Sequence, residues 1–203
     1  YVEEEAPACT QILTDLIRKG NLKMTSDAAF ALYTGLVTDT GRFRFDSVVS
    51  HTFEVAAYLL RFGVSPSVLD NYLSVETLAT LKLKGYVLSN FQMTDEGFAY
   101  IKMTRDVVEK YGVSDEEAAN QVGTISTIEG CPVWALFMEY PGNEIRIRLR
   151  SRGPVINTLA EEYNGGGHAK AAGASLDSWD DLDGFVKKAS LLVKKYKEEQ
   201  NNN

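Results

Sequence analysis

Along the first eighty residues the apolar positions recur every three to four residues, the spacing of helices with one buried side. Ile12, Leu13, Leu16 and Ile17 form one such stripe, closed by Gly20. Ser26 can cap a second helix that buries Ala28, Ala29, Leu32 and Val37 and stops at Thr38-Asp39-Thr40-Gly41. A third runs from about Thr52 to Phe62, and Pro66 opens a fourth at the helix position that tolerates proline. Up to about Lys82 the pattern is almost entirely helical.

The period then shortens to two. Tyr86 to Met93 and Phe98 to Met103 read as a hairpin turned by Thr94-Asp95-Glu96-Gly97. Ser114 and Glu117 have the spacing of a capping box, opening a helix toward Val122. Val133 to Tyr140 and Glu144 to Arg150 are two further strands around Pro141-Gly142-Asn143. Val155 to Tyr163 reads as a short helix. Trp179 to Glu199 reads as a long one, with Leu182, Phe185, Val186, Leu192 and Val193 along one side. The predicted fold class is α/β (α+β): a helical segment over 1–66, a linker helix over 67–84, then a mixed sheet with flanking helices over 85–203.

Composition narrows the classes. The 203 residues are 44% hydrophobic and 24% charged, which excludes a disordered, collagenous or disulfide-scaffold chain. No run approaches the ~18 apolar residues of a membrane span. The net charge of −7 gives no overall attraction to nucleic acid, so a polyanion must be held by a local basic site. Cys9 and Cys131 lie far apart in no metal-type spacing, the pattern of free thiols in a reducing, cytoplasmic compartment. The chain opens on Tyr1 rather than Met, with acidic Glu3-Glu4-Glu5, and reads as part of something longer.

Three segments could carry chemistry. Asp39, at a helix end before a glycine turn, can offer its carboxylate to a hard metal ion, or can simply form an Asx turn. Arg146, Arg148 and Arg150 alternate with Ile145, Ile147 and Leu149, so three guanidinium groups share one strand face. That face is either solvated or an anion site, and the planar fork of arginine suits phosphate. Asn164-Gly165-Gly166-Gly167-His168 is either an ordinary turn or a nest of N–H groups with a histidine donor. In the second case a helix continuing through Ala169 to Ala172 would add its N-terminal charge. His51 and His168 are the two histidines, over a hundred residues apart, and no His-x-x-x-His exists, so this chain alone cannot build a two-metal centre. His51 reads as a helix-start residue without special role.

Taken in order, Gly35-Leu36-Val37-Thr38-Asp39-Thr40-Gly41-Arg42-Phe43, then Arg148-Leu149-Arg150-Ser151, then Gly165-Gly166-Gly167-His168 with Ala172-Gly173-Ala174 resemble the DHH phosphoesterase superfamily. Within it they resemble the bacterial nanoRNase and pAp-phosphatase branch, and the similarity runs over essentially the whole chain. The resemblance implies that 1–66 is the end of a DHH catalytic domain and 85–203 a DHH-associated substrate-binding domain. It implies hydrolysis of short single-stranded oligonucleotides to 5′-mononucleotides, or of pAp to AMP, by hydroxide on two manganese ions. Asp39 would be a catalytic metal ligand. Arg148, Arg150, Ser151, Gly165, Gly166, Gly167 and His168 would bind substrate, with His168 also stabilising developing charge. The family's Asp-x-Asp and Asp-His-His motifs are expected upstream of Tyr1, which would leave this chain inactive by itself. Where relatives often carry proline and an apolar residue after the histidine, this chain has Ala169-Lys170. Lys170 would then join the phosphate site or point to solvent. A homodimer is left open. The alternative is a non-catalytic nucleic-acid-binding module, as in single-strand exonucleases or at the end of alanyl-tRNA synthetases; Asp-Thr-Gly-Arg-Phe argues against the synthetase.

Overall fold

The computed structural model describes residues 6–202; Glu3 to Glu5 and the last residue, Asn203, lie outside them. The chain divides into two compact units, Tyr1–Val75 and Glu76–Asn203. The boundary falls in the short stretch between two helices, so the segment 67–84 expected as one linker helix holds the end of one helix and the start of another.

The first unit is helical: α1 (Cys9–Lys19), α2 (Ser26–Asp39), α3 (Ser50–Leu60) and α4 (Pro66–Ser74). Thr25 caps α2 by accepting from the Ala28 N–H, and Pro66 opens α4. Ala29, Tyr33, Leu36, Val55, Ala56, Leu59 and Leu69 make the shared core. One expectation fails here. Helix α1 buries Gln11 and Thr14, while Leu13 and Leu16 are 50% and 45% exposed. The reason is a close approach: a Cβ on Gly35 would collide with the Thr10 side chain, so α1 meets α2 through its small polar face. Ala28, also expected inside, is exposed.

The second unit is a six-stranded mixed sheet: β1 (Gln92–Met93), β2 (Phe98–Met103), β3 (Val133–Glu139), β4 (Ile145–Ser151), β5 (Gly166–His168) and β6 (Ala171–Leu176). The strand order is β1-β2-β3-β4-β6-β5. Strands β2 and β3 are parallel and the other neighbours antiparallel. Helices α5 (Leu78–Asn90), α6 (Arg105–Tyr111) and α7 (Asp115–Asn120) supply Leu83, Val87, Val107, Val108 and Ala118 to the core on one sheet face. Helices α8 (Asn157–Glu161) and α9 (Leu182–Asn201) cover the other with Leu159, Phe185, Ala189 and Val193. The capping box at Ser114 and Glu117 forms as expected.

Two segments differ from the sequence reading. Tyr86 to Asn90 is the end of α5, not a strand: Thr77 caps that helix, and Thr80, Leu83 and Val87 are buried at helical spacing. The β-prone Tyr86-Val87-Leu88 is overridden by this stripe. Ala171–Leu176 is a strand, not a helix, and Ala172, Ala174 and Leu176 are buried at period two. Among the described residues no helix is long and apolar enough to cross a membrane.

Candidate functional site

The β4 alternation is realised as read. Ile145, Ile147 and Leu149 enter the core, whereas Arg146 is exposed and Arg148 and Arg150 are half-buried. Register then fixes what stands beside them. Arg150 pairs with Ala171, which pairs with His168; Arg148 pairs with Gly173, which pairs with Gly166. Side chains of directly paired residues share a face. Two rows therefore cross three strands, Arg150–Ala171–His168 and Arg148–Gly173–Gly166. With neighbouring strands about 5 Å apart, Arg150 and His168 sit about 10 Å apart at the backbone with only an alanine methyl between them. Toward β3 the same rows continue into Trp134 and Leu136, part of the core beneath α5 to α7.

The two central arginines are poised for an anion. Arg148 donates to Asn120 Oδ1 at 3.0 Å, and Arg150 to the Leu149 carbonyl at 2.9 Å. Neither has a carboxylate partner among the described residues. Burial, and then the charge of Arg148, pull the Arg150 guanidinium below its usual pKa, although it stays protonated. Two like charges held side by side without a counter-charge are relieved when an anion arrives. Arg146 is different: Glu144 holds it through two bonds of 2.8 and 3.0 Å, and it stacks 4.8 Å from the Tyr140 ring.

The glycine run is not the nest expected. Gly166 to His168 is an edge strand, and Ala169-Lys170 turns the hairpin into β6. No helix N-terminus follows. The three glycines serve different ends. A Cβ on Gly165 would run into the Gly173 carbonyl and lie 2.6 Å from Ala174 Cα; one on Gly167, where φ is +134°, would lie 2.7 Å from the Ala171 carbonyl. Gly166 has open space, on the face of Arg148. Beside it lies a cavity of about 380 Å³ lined by Tyr140, Arg146, Arg148, Asn164, Gly173 and Ser175 among others. Asn120 and Ser175 were invisible in the sequence, since only the packing of α7 and the pairing of β6 bring them here.

Ser151 is not brought to this face. It is buried, its hydroxyl donating to the Pro154 carbonyl at 2.6 Å and accepting from the Gly153 N–H. Lys170 Nζ donates to the Gly153 carbonyl at 2.8 Å and so braces the same turn.

Asp39 stands in the first unit as the last residue of α2. Behind it Gly41, Arg42 and Phe43 have φ of 56°, 60° and 60°. For the two non-glycine residues this costs about 1–2 kcal/mol each. Buried Thr40 accepts from the Phe43 N–H, Phe43 stacks on Phe53 at 5.2 Å, and Arg42 binds Asp70 at 3.2 Å and the Leu73 carbonyl at 3.1 Å. The Asp39 carboxylate makes no hydrogen bond or ion pair among the described residues. Strain so heavily braced is a mark of functional turns. His51, expected to be idle, bonds Asp15 at 2.7 Å and Glu54 at 3.3 Å, and these bonds raise its pKa.

Comparison with known proteins gives this geometry a lineage. The DHHA1 domain family matches residues 95–195. The chain is 37% identical over 199 residues to the bifunctional oligoribonuclease and PAP phosphatase NrnA of Bacillus subtilis, covering 97% of this chain and 63% of that protein. Residues 95–195 are a DHHA1 domain. A probable NrnA of Streptococcus mutans is 32% identical, covering 96% of this chain and again 63% of the relative. The chain thus spans less than two thirds of the length of these curated relatives. A crystal structure of an exopolyphosphatase-related protein from Bacteroides fragilis superposes with a TM-score of 0.83 at 26% identity, covering 98% of this chain and 62% of that one. No group of three or more His, Cys, Asp or Glu that could hold a metal ion occurs among the described residues. One exposed carboxylate, Asp39, does not by itself fit a divalent ion, which takes several oxygen ligands.

Proposed function

We propose that this chain is the substrate-binding part, with one corner of the metal site, of a phosphoesterase that cleaves short oligonucleotides to 5′-mononucleotides, pAp to AMP, or both. The observation that carries this reading is the register that lines up Arg150, Ala171 and His168 on one open face beside Arg148, Gly173 and Gly166. A phosphate over Ala171 receives forked N–H donors from Arg150 on one side and the imidazole N–H of His168 on the other. Each charge-assisted bond is worth about 1.5–3 kcal/mol when well formed. Gly173 and Gly166 leave the backbone bare beside Arg148, so the nucleotide can lie close to the sheet. Held this way, His168 and the arginines also stabilise charge that builds on the phosphoryl oxygens. Two manganese ions belong to this proposal for a protein of the relatives' full length, with Asp39 supplying one ligand and the others coming from outside the described residues.

The alternative, a non-catalytic nucleic-acid-binding module, is favoured by the absence of a metal-ligand cluster among the described residues. It leaves the braced strain behind Asp39 without a purpose. The test of the leading proposal is a titration of the chain with pAp and a dinucleotide, followed by backbone amide shifts. Shifts should cluster at 148–150, 166–168 and 173. A cluster elsewhere would overturn the assignment.

A further inference from the structure

A second cavity, of about 520 Å³, opens at the end of the sheet where β3 begins and β4 finishes. Its walls are the loop Thr127–Pro132, Arg152 just after β4, and Tyr196, Lys197, Gln200 and Asn201 from the last turns of α9. That volume is within the range of small-molecule sites. The walls are set by two glycines. At Gly97, with φ of +100°, the space of a side chain is taken by the Gly130 carbonyl and by Lys197 Nζ, the latter 2.5 Å from where a Cβ would stand. At Gly153 it is taken by the Tyr196 ring.

The cavity has two cations and little to balance them. Arg152 lies 5.6 Å over the Trp134 ring and makes one long side-chain bond, 3.4 Å to the Ile128 carbonyl. Neither Arg152 nor Lys197 has a carboxylate partner among the described residues, although Glu129 lines the same cavity. Both line the cavity together with Cys131, so the two cations face one region. A hydroxyl at Tyr196 and amides at Gln200 and Asn201 add uncharged donors. Beneath Arg152, the Trp134 indole N–H is buried and has no hydrogen-bond partner. Buried donors are rarely left so.

We propose that this cavity binds a phosphate group, with Arg152 and Lys197 holding it, as a site separate from Arg150 and His168. Its cations, walls and glycines are not those of the β4–β6–β5 face, so the inference stands whatever binds there. The phosphate is either free inorganic phosphate or that of a nucleoside monophosphate.

The test uses the whole 203-residue chain carrying His168→Ala, so that the first site is weakened, titrated with AMP, inorganic phosphate and adenosine. Amides at 128–131 and 152–153 should shift with AMP or phosphate and not with adenosine. Trp134 fluorescence should change with them. Tighter binding of AMP than of phosphate names a nucleotide as the occupant, and equal binding names free phosphate. Arg152→Gln should weaken the response at least tenfold. Because Arg152 packs on Trp134, Lys197→Gln provides a second variant that removes charge without touching that stack, and should also weaken it severalfold. Adenosine binding as well as AMP, unshifted amides at millimolar AMP, or a Lys197→Gln chain that binds like the parent would each overturn the site.

Discussion

Single residues decide the candidate site, and three identical letters in the sequence show how differently they act. Gly165-Gly166-Gly167 looks like one flexible loop. In the folded chain Gly165 and Gly167 press against the backbone of β6, and Gly166 alone faces open space. Gly165→Ala should therefore push β5 away from β6 and lower the melting temperature by several degrees. Gly166→Ala should leave melting almost unchanged yet weaken pAp binding, because the new methyl points to the Arg148 face. Thermal melting and a binding titration on the two variants separate these outcomes; equal loss of stability in both would contradict the register. Arg150→Ala and His168→Ala should each weaken binding by about tenfold, the value of one charge-assisted bond. His51→Ala, in the first unit, should not change it. The arginine face was legible because alternation in a strand is a purely local rule. The distinct roles of the glycines were not, since each depends on a strand pairing that no neighbouring residue encodes.

At the scale of elements, the segments that were misread are those where local preference and packing disagree. Tyr86-Val87-Leu88 favours a strand in isolation, but Thr80, Leu83 and Val87 bury as a helix stripe beneath the sheet. Ala169 to Ala172 looks helical by propensity, while the alternating burial of Ala172, Ala174 and Leu176 is the signal that wins. Helix α1 was read from its leucines and packs through its threonines because Gly35 admits them. The same element carries a pH-dependent tie, Asp15 on α1 to His51 on α3. Its hydrogen bonds to Asp15 and then Glu54 raise the folded pKa of His51 above the ordinary value of about 6.5. The stabilisation is thus complete below the unfolded value and is lost as pH rises through the higher folded one. The imidazole is 42% exposed, and ion pairs of this kind contribute about 0.2–1 kcal/mol. His51→Ala should lower the melting temperature by about 1–3 °C at pH 5.5 and by less at pH 8.5. An equal loss at both values would mean the tie contributes no charge-dependent stability.

For the whole molecule the balance of charge sets the terms. A chain of net −7 repels a polyanion at a distance, so the proposed capture of substrate rests on local cations, the paired arginines and His168. Binding of a dinucleotide should weaken with added salt along a shallow line, with a log–log slope of about −1 to −2 for two neutralised phosphates. Catalysis is a separate question, and in the proposed reading it turns on Asp39. Its carboxylate stands at the end of α2, just before a strained turn braced by Thr40, Phe43 and Arg42, with no partner among the described residues. A protein of the relatives' full length should lose turnover of pAp when Asp39 becomes asparagine, which keeps the shape and removes the charge that would hold an ion. Its melting temperature and its affinity for pAp should stay near the parent values, because the braces of the turn do not pass through the carboxylate. The 203-residue chain, offered pAp and manganese, should release no AMP, since one carboxylate does not make a hydrolytic centre. Two assays check this pair: AMP release by the chain alone, and turnover by the full-length Asp39→Asn protein. Release by the short chain would show that its own residues complete a catalytic site. Retained turnover in the variant would reduce Asp39 to a turn residue and leave the strain behind it unexplained.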